Sequence, residues 1–140
     1  MSADSSPRPL RILVYSDDRN TRDTVKIAIG RQPERDLPPV EYHECATYPA
    51  VVKALDAGGI DVVVVDGEAA PTGGMGIARQ LKDEIFRCPP VLLLTGRADD
   101  AWLATWSRAD AAVPYPIDPL ALCRATVELA RRRLAVQPAR

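Results

Sequence analysis

Ile60-Asp61-Val62-Val63-Val64-Val65-Asp66 decides the fold of this chain. A β-branched run this short, closed by Gly67, Pro71, Gly73 and Gly74, has the pattern of a central strand buried on both faces of a parallel sheet. Asp66 then stands at the carboxyl end of that strand. In open α/β sheets ligands and chemistry gather at that edge, so a carboxylate delivered there needs either a functional or a capping role.

The segments on either side repeat the theme. Upstream, Arg11-Ile12-Leu13-Val14-Tyr15-Ser16 is a second apolar strand ending on acid, Asp17-Asp18. Asn20 is placed to cap a helix, with Thr21, Thr24, Val25, Ala28 and Ile29 on one face. Pro33, Pro38 and Pro39 mark a loop, and Val40 to Ala46, polar and imperfectly alternating, suits an edge strand. Thr47 and Pro49 open a helix with Val51, Val52 and Leu55 inward, ended by Gly58-Gly59. Downstream, Met75 to Ile85 is helical, with Met75, Ala78, Leu81 and Ile85 at core spacing. Pro89-Pro90 launches the strand Val91-Leu92-Leu93-Leu94-Thr95. A helix runs from Asp99 or Asp100 through Arg108, and Ala111 to Tyr115 forms a weak fifth strand. Asp118-Pro119 opens the last helix, striped by Leu120, Cys123, Val127, Ala130 and Leu134.

Five strands alternating with five helices specify a parallel α/β sandwich, since parallel neighbours need crossovers and these cover both faces. Strand order 2-1-3-4-5 sets the first and third strands side by side and brings Asp17, Asp18 and Asp66 together.

Composition narrows the function classes. With 140 residues, 46% hydrophobic, the chain fits one domain with a real core. Residues 1–9 read as a loose tail, 10–134 as the domain and 135–140 as a short tail with no output domain. Eighteen basic against nineteen acidic residues leave a charge of −1, which disfavours nucleic-acid binding. Cys45, Cys88 and Cys123 are odd in number and widely spaced, which argues against a disulfide framework or zinc site and for reduced thiols. No apolar run approaches the ~18 residues of a membrane span, and no signal peptide is visible, so a soluble cytoplasmic protein is expected.

Over Leu10 to Leu134 the chain resembles the receiver domains of bacterial two-component response regulators, which have the flavodoxin-like (βα)5 three-layer fold. Leu13 to Asp18 resembles the family's first strand with its acidic pair, Asp66 the phospho-accepting aspartate, and Gly74 the glycine eight residues later. Thr95 matches the hydroxyl residue ending the fourth strand, and Arg108 to Pro116 is similar to the family's Gly-Ala-Asp-Asp-Tyr-Leu-Pro-Lys-Pro run. The resemblance implies Mg²⁺ held by Asp17, Asp18, Asp66 and the backbone carbonyl of Glu68, a hard oxygen set suited to that ion. It also implies in-line attack by Asp66 on phosphorus, with the Thr95 hydroxyl contacting the phosphoryl group.

The chain departs from the family where the switch operates. Tyr115 takes the place of the family's lysine and offers a hydroxyl in place of a cation. Ala112 stands where the switch aromatic belongs, the proline after the acceptor is displaced to Pro71, and Glu68 adds another acid. A charge-assisted bond to phosphate is roughly twice as strong as a neutral one, so the acyl phosphate should be weakened. Tyr115-Pro116 is expected to keep the family's cis peptide.

The expected function is therefore a single-domain, atypical response regulator that docks to a protein, either a sensor histidine kinase or a downstream target. It is not an enzyme beyond its own phosphorylation and dephosphorylation. Trp102 and Trp106, four residues apart, share one helix face. They either join the core or mark a partner patch on the surface receivers build from their last strand and last two helices. Homodimerisation stays open. Plain roles also stand: Asp17 and Asp18 as helix-start acids, Asp66 as a loop residue, Thr95 as a satisfied hydroxyl, and His43 as a solvated edge residue. The alternatives in function are a phosphorylation-independent binding module and a flavodoxin-like nucleotide or flavin protein. Ser16-Asp17-Asp18-Arg19 lacks the glycines of a phosphate cradle, which disfavours the last.

Overall fold

Parallel pairing on both sides accounts for the valine run. In the computed structural model, which describes residues 8–68, 74–85, 87–96 and 108–136, β3 (Val62–Asp66) lies between β1 (Leu10–Tyr15) and β4 (Val91–Thr95). Ile12 pairs with Val62 and Tyr15 with Val65 on one side; Val63 pairs with Val91 and Asp66 with Leu94 on the other. Every residue of β3 and β4 is buried. The edges are β2 (Val40–Cys45), beside β1, and β5 (Ala111–Pro114), beside β4, so the sheet order is β2-β1-β3-β4-β5. His43 is exposed on the polar edge strand β2.

Alternation of side chains splits the core into two layers. Ile12, Val14, Val62, Val64, Leu92 and Leu94 face α1 (Arg19–Ile29) and α4 (Pro119–Val136), which supply Val25, Ile29, Leu122 and Leu129. Leu13, Val63, Val65 and Leu93 face α2 (Tyr48–Ala57) and α3 (Gly74–Glu84), which supply Val51, Leu55, Ala78 and Leu81. The result is the three-layer flavodoxin-like architecture with the expected strand order. The helix expected from Asp99 or Asp100, with Trp102 and Trp106, lies outside the described residues.

Several local expectations hold and others shift. Thr47 caps α2, its hydroxyl accepting from the Ala50 N–H at 3.3 Å, and Gly58 ends the helix at a φ of 81° that side-chain-bearing residues rarely adopt. α1 is capped by Asp18 and not by Asn20: Asp18 Oδ1 accepts from the Asn20 N–H at 2.9 Å. The cap moves two residues earlier because Asp18 has the extended backbone a cap requires. In α4 the apolar stripe is broader than one line, since the helix packs on both the sheet and α1. Leu122 and Leu129 are fully buried, while Leu120 in the first turn is 56% exposed.

Arg8, expected to lie in a loose tail over residues 1–9, is anchored. Its guanidinium donates to both oxygens of Asp61, at 2.7 and 2.9 Å, and the Arg11 N–H adds a third bond at 2.9 Å. The Asp61 side chain is 1% exposed just before β3, and without these donors its burial would be prohibitive. Asp61→Asn keeps the shape but removes the charge and replaces one accepting oxygen with an NH2 donor, so at least one of the three bonds is lost. It should lower unfolding stability by about 1–3 kcal/mol, read as a reduced denaturation midpoint at unchanged slope.

Candidate functional site at the carboxyl end of the sheet

β1 and β3 are neighbours whose following helices α1 and α3 pack on opposite faces of the sheet, so a cleft opens between their carboxyl ends. Alternation decides which side chains enter it. Asp66 continues the series Val62, Val64; Tyr115 continues Ala111, Val113; all these lie on the α1/α4 side. Three chain segments far apart in sequence thereby deliver oxygen atoms to one point.

Asp66 is 3% exposed and accepts three hydrogen bonds. The Ser16 hydroxyl donates to Oδ2 at 2.6 Å, the Tyr115 hydroxyl to Oδ1 at 2.8 Å, and the Glu68 N–H to Oδ1 at 2.9 Å. Ser16 is completely buried; its oxygen also accepts from the Asp18 N–H at 3.0 Å, and its carbonyl accepts from Arg22 at 2.7 Å. Arg22 is in turn paired with Glu44 at 3.0 Å. The cleft, of about 490 Å³, is lined by Asp17, Asp18, Thr21, Asp66, Glu68, Gly96 and Tyr115. Four of these are carboxylates, and among the described lining residues none is a cation.

The structure thus gathers Asp17, Asp18, Asp66, Glu68 and Tyr115 at one cleft. Their roles differ in detail. Asp17 and Asp18 are exposed, and one Asp18 oxygen serves the helix cap; the side chain that touches Asp66 from β1 is Ser16. Sequence reasoning placed Ser16 at the end of the first strand but gave it no role at the site, whereas the extended chain makes it the next inward position after Val14. Thr95 is buried at the end of β4 at 4% exposure, and its neighbour Gly96 takes the lining position. The Thr95 carbonyl accepts from the Tyr115 N–H at 2.8 Å, which seats Tyr115 beside Asp66. The Tyr115-Pro116 peptide is cis.

Two glycines keep the cleft in shape. Gly67 donates its N–H to the Leu94 carbonyl at 2.8 Å, and a Cβ there would stand 2.4 Å from that carbonyl oxygen. At Gly96 a Cβ would stand 2.8 Å from the Glu68 carboxylate.

The electrostatics are those of a crowded acidic site. Burial pushes the Tyr115 hydroxyl well above the ordinary phenol value; its bond to the Asp66 carboxylate adds to this and Thr21 opposes it. Tyr15 is raised first by burial, then by the charges of Asp17 and Asp66. In charge and donor type the cleft fits a hard divalent cation with oxygen ligands, which Asp17, Asp18, Asp66 and the Glu68 carbonyl would hold. Among the described residues, no group of three or more His, Cys, Asp or Glu side chains is drawn close enough to grip one.

Comparison with known proteins agrees with this fold. No family model matches the chain. It is 58% identical over 126 residues to an "uncharacterized response regulatory protein" of Mycobacterium tuberculosis, present in strains CDC 1551 / Oshkosh and H37Rv; the match takes 90% of this chain and 95% of that protein. Among solved structures, the BeF3-activated receiver domain of DrrB from Thermotoga maritima superposes with a TM-score of 0.67 at 23% identity, covering 89% of this chain and all of that one. The signal receiver domain of an HD domain-containing protein from Pseudomonas fluorescens reaches 0.76 at 14% identity, covering 96% of each chain.

Gly67→Ala should lower stability by about 1–3 kcal/mol in chemical denaturation, since backbone must move, whereas Gly96→Ala displaces only the end of a side chain and should cost less. All four tyrosines are raised, with burial the largest cause in each. The fold therefore favours the neutral phenols. Their contribution is fully present below the unfolded value near 10 and is lost as pH rises beyond it. Phenolate absorbance near 295 nm should accordingly appear together with loss of circular dichroism. Ionisation of the tyrosines at or below the free value near 10 in a still-folded protein would contradict the assignment.

Proposed function

The chain belongs to the response regulators of two-component signalling, and on that premise we propose that it is a receiver whose Asp66 accepts a phosphoryl group in an acidic, cation-assisted cleft. The observation that carries the reading is a nearly buried carboxylate at the end of the central strand, with three more carboxylates lining the same cleft. A bound Mg²⁺ would neutralise incoming phosphoryl oxygens and relieve repulsion among the acids.

The chain's own residues divide the remaining work. Asp66 is the nucleophile, held in place by the Ser16 and Tyr115 hydroxyls and the Glu68 N–H. Gly67 closes the turn against β4 so that the carboxylate faces the cleft. Thr95 is the hydroxyl that would contact the phosphoryl group after movement toward the cleft. Tyr115 gives a neutral bond where a cation would give a stronger one, so the phosphorylated form should be short-lived. With Ala112 offering no ring to swing, read-out to a protein partner must use another surface. That partner is a sensor kinase or a downstream target in the cytoplasm. Nothing outside the protein is turned over.

A second reading, a phosphorylation-independent docking module, is favoured by the lack of a cation among the described lining residues. Incubation with Mg²⁺ and acetyl phosphate, followed by intact mass measurement, separates the two. One added phosphoryl group that disappears in Asp66→Ala supports the receiver chemistry. An unmodified wild type at high donor and Mg²⁺ supports the docking module.

A further inference from the structure

Asp66 makes its three hydrogen bonds unequally. Oδ1 accepts from both Tyr115 and Glu68, which fills the two acceptor positions of a carboxylate oxygen, whereas Oδ2 accepts from Ser16 alone. Among the described contacts, Oδ2 is therefore the oxygen with an acceptor position left, for a cation or for phosphorus. Ser16 sets its direction and is itself immobile: the residue is fully buried, its oxygen is held by the Asp18 N–H, its carbonyl by Arg22 and its N–H by the Cys45 carbonyl at 3.1 Å.

We infer that Ser16 and Tyr115 form a hydroxyl clamp that favours the free carboxylate of Asp66 over its acyl phosphate, with Ser16 holding Oδ2. The inference rests on the reading of Asp66 as phospho-acceptor and adds to it a built-in bias against modification. In the transfer, the Oδ2 lone pair forms the new O–P bond. The bond from phosphorus to the bridging oxygen of acetyl phosphate breaks, and its electron pair leaves with acetate. Before the step, both hydroxyls donate to a charged carboxylate. Afterwards Oδ2 is a bridging ester oxygen and Oδ1 a neutral carbonyl, both poorer acceptors, so both bonds are stronger on the unmodified side. Two clamping hydroxyls with no compensating cation among the described lining residues pull the equilibrium in one direction.

The test compares wild type, Ser16→Ala, Ser16→Thr, Tyr115→Phe and Asp66→Ala, each at fixed Mg²⁺ and acetyl phosphate, by the phosphorylated fraction at steady state and its decay after donor removal. Ser16→Ala should raise the fraction by about ten-fold or more, the size expected for losing one charge-assisted bond to the ground state. Tyr115→Phe should raise it comparably. Ser16→Thr keeps the hydroxyl and should stay near wild type, whereas a purely structural role for Ser16 predicts that Ser16→Ala lowers folding stability without raising the phosphorylated fraction. If Ser16→Ala fails to fold by circular dichroism, Tyr115→Phe, which keeps the ring, decides. Labelling that is equal or lower in the hydroxyl-free variants, with Asp66→Ala unlabelled, overturns the clamp and leaves the acceptor standing. No labelling in any variant removes the acceptor, and the clamp with it.

Discussion

The structure depends on β3 being paired on both edges and covered on both faces. Four consecutive valines satisfy that position because each has an apolar side chain and a stiff, extended-favouring backbone, whichever face it meets. Once β3 is central, β1 and β4 are its partners and α1 must pack on one face while α3 packs on the other. The cleft above the carboxyl ends is a consequence of that divergence.

The two ends of β3 show how one residue type acquires opposite roles. Asp61 and Asp66 are both nearly removed from solvent. Asp61 meets the guanidinium of Arg8, a full countercharge held by two short bonds, and so it serves to anchor the chain entering β1. Asp66 meets only hydroxyls and an N–H, and shares its cleft with three further acids. A buried carboxylate with a countercharge is quiescent; one stabilised by dipoles alone still attracts cations and electrophiles.

Tyr115 shows the same economy. It follows β5, its N–H bonded to the Thr95 carbonyl, and its hydroxyl reaches Asp66 across β4. A phenol there preserves the geometry of a donor contact but changes its electrostatics, since burial and the neighbouring carboxylate both hold the phenol neutral. The receiver frame survives while the charge balance of its cleft is altered.

Sequence alone determined the class of fold, the strand order through its family likeness, and Asp66, Asp17, Asp18, Glu68 and Tyr115 as cleft residues. Those features are legible because period, turn residues and strand-end acids are local signals. It did not reveal that Asp18 caps α1, that Ser16 is the buried partner of Asp66, that Arg8 belongs to the fold, or that Leu120 faces solvent while Leu122 and Leu129 are buried. These depend on which residues from distant segments meet, and on which oxygen finds which donor. Tertiary structure decided them because hydrogen bonds select by distance and direction, quantities that no stretch of sequence contains until neighbouring strands set them.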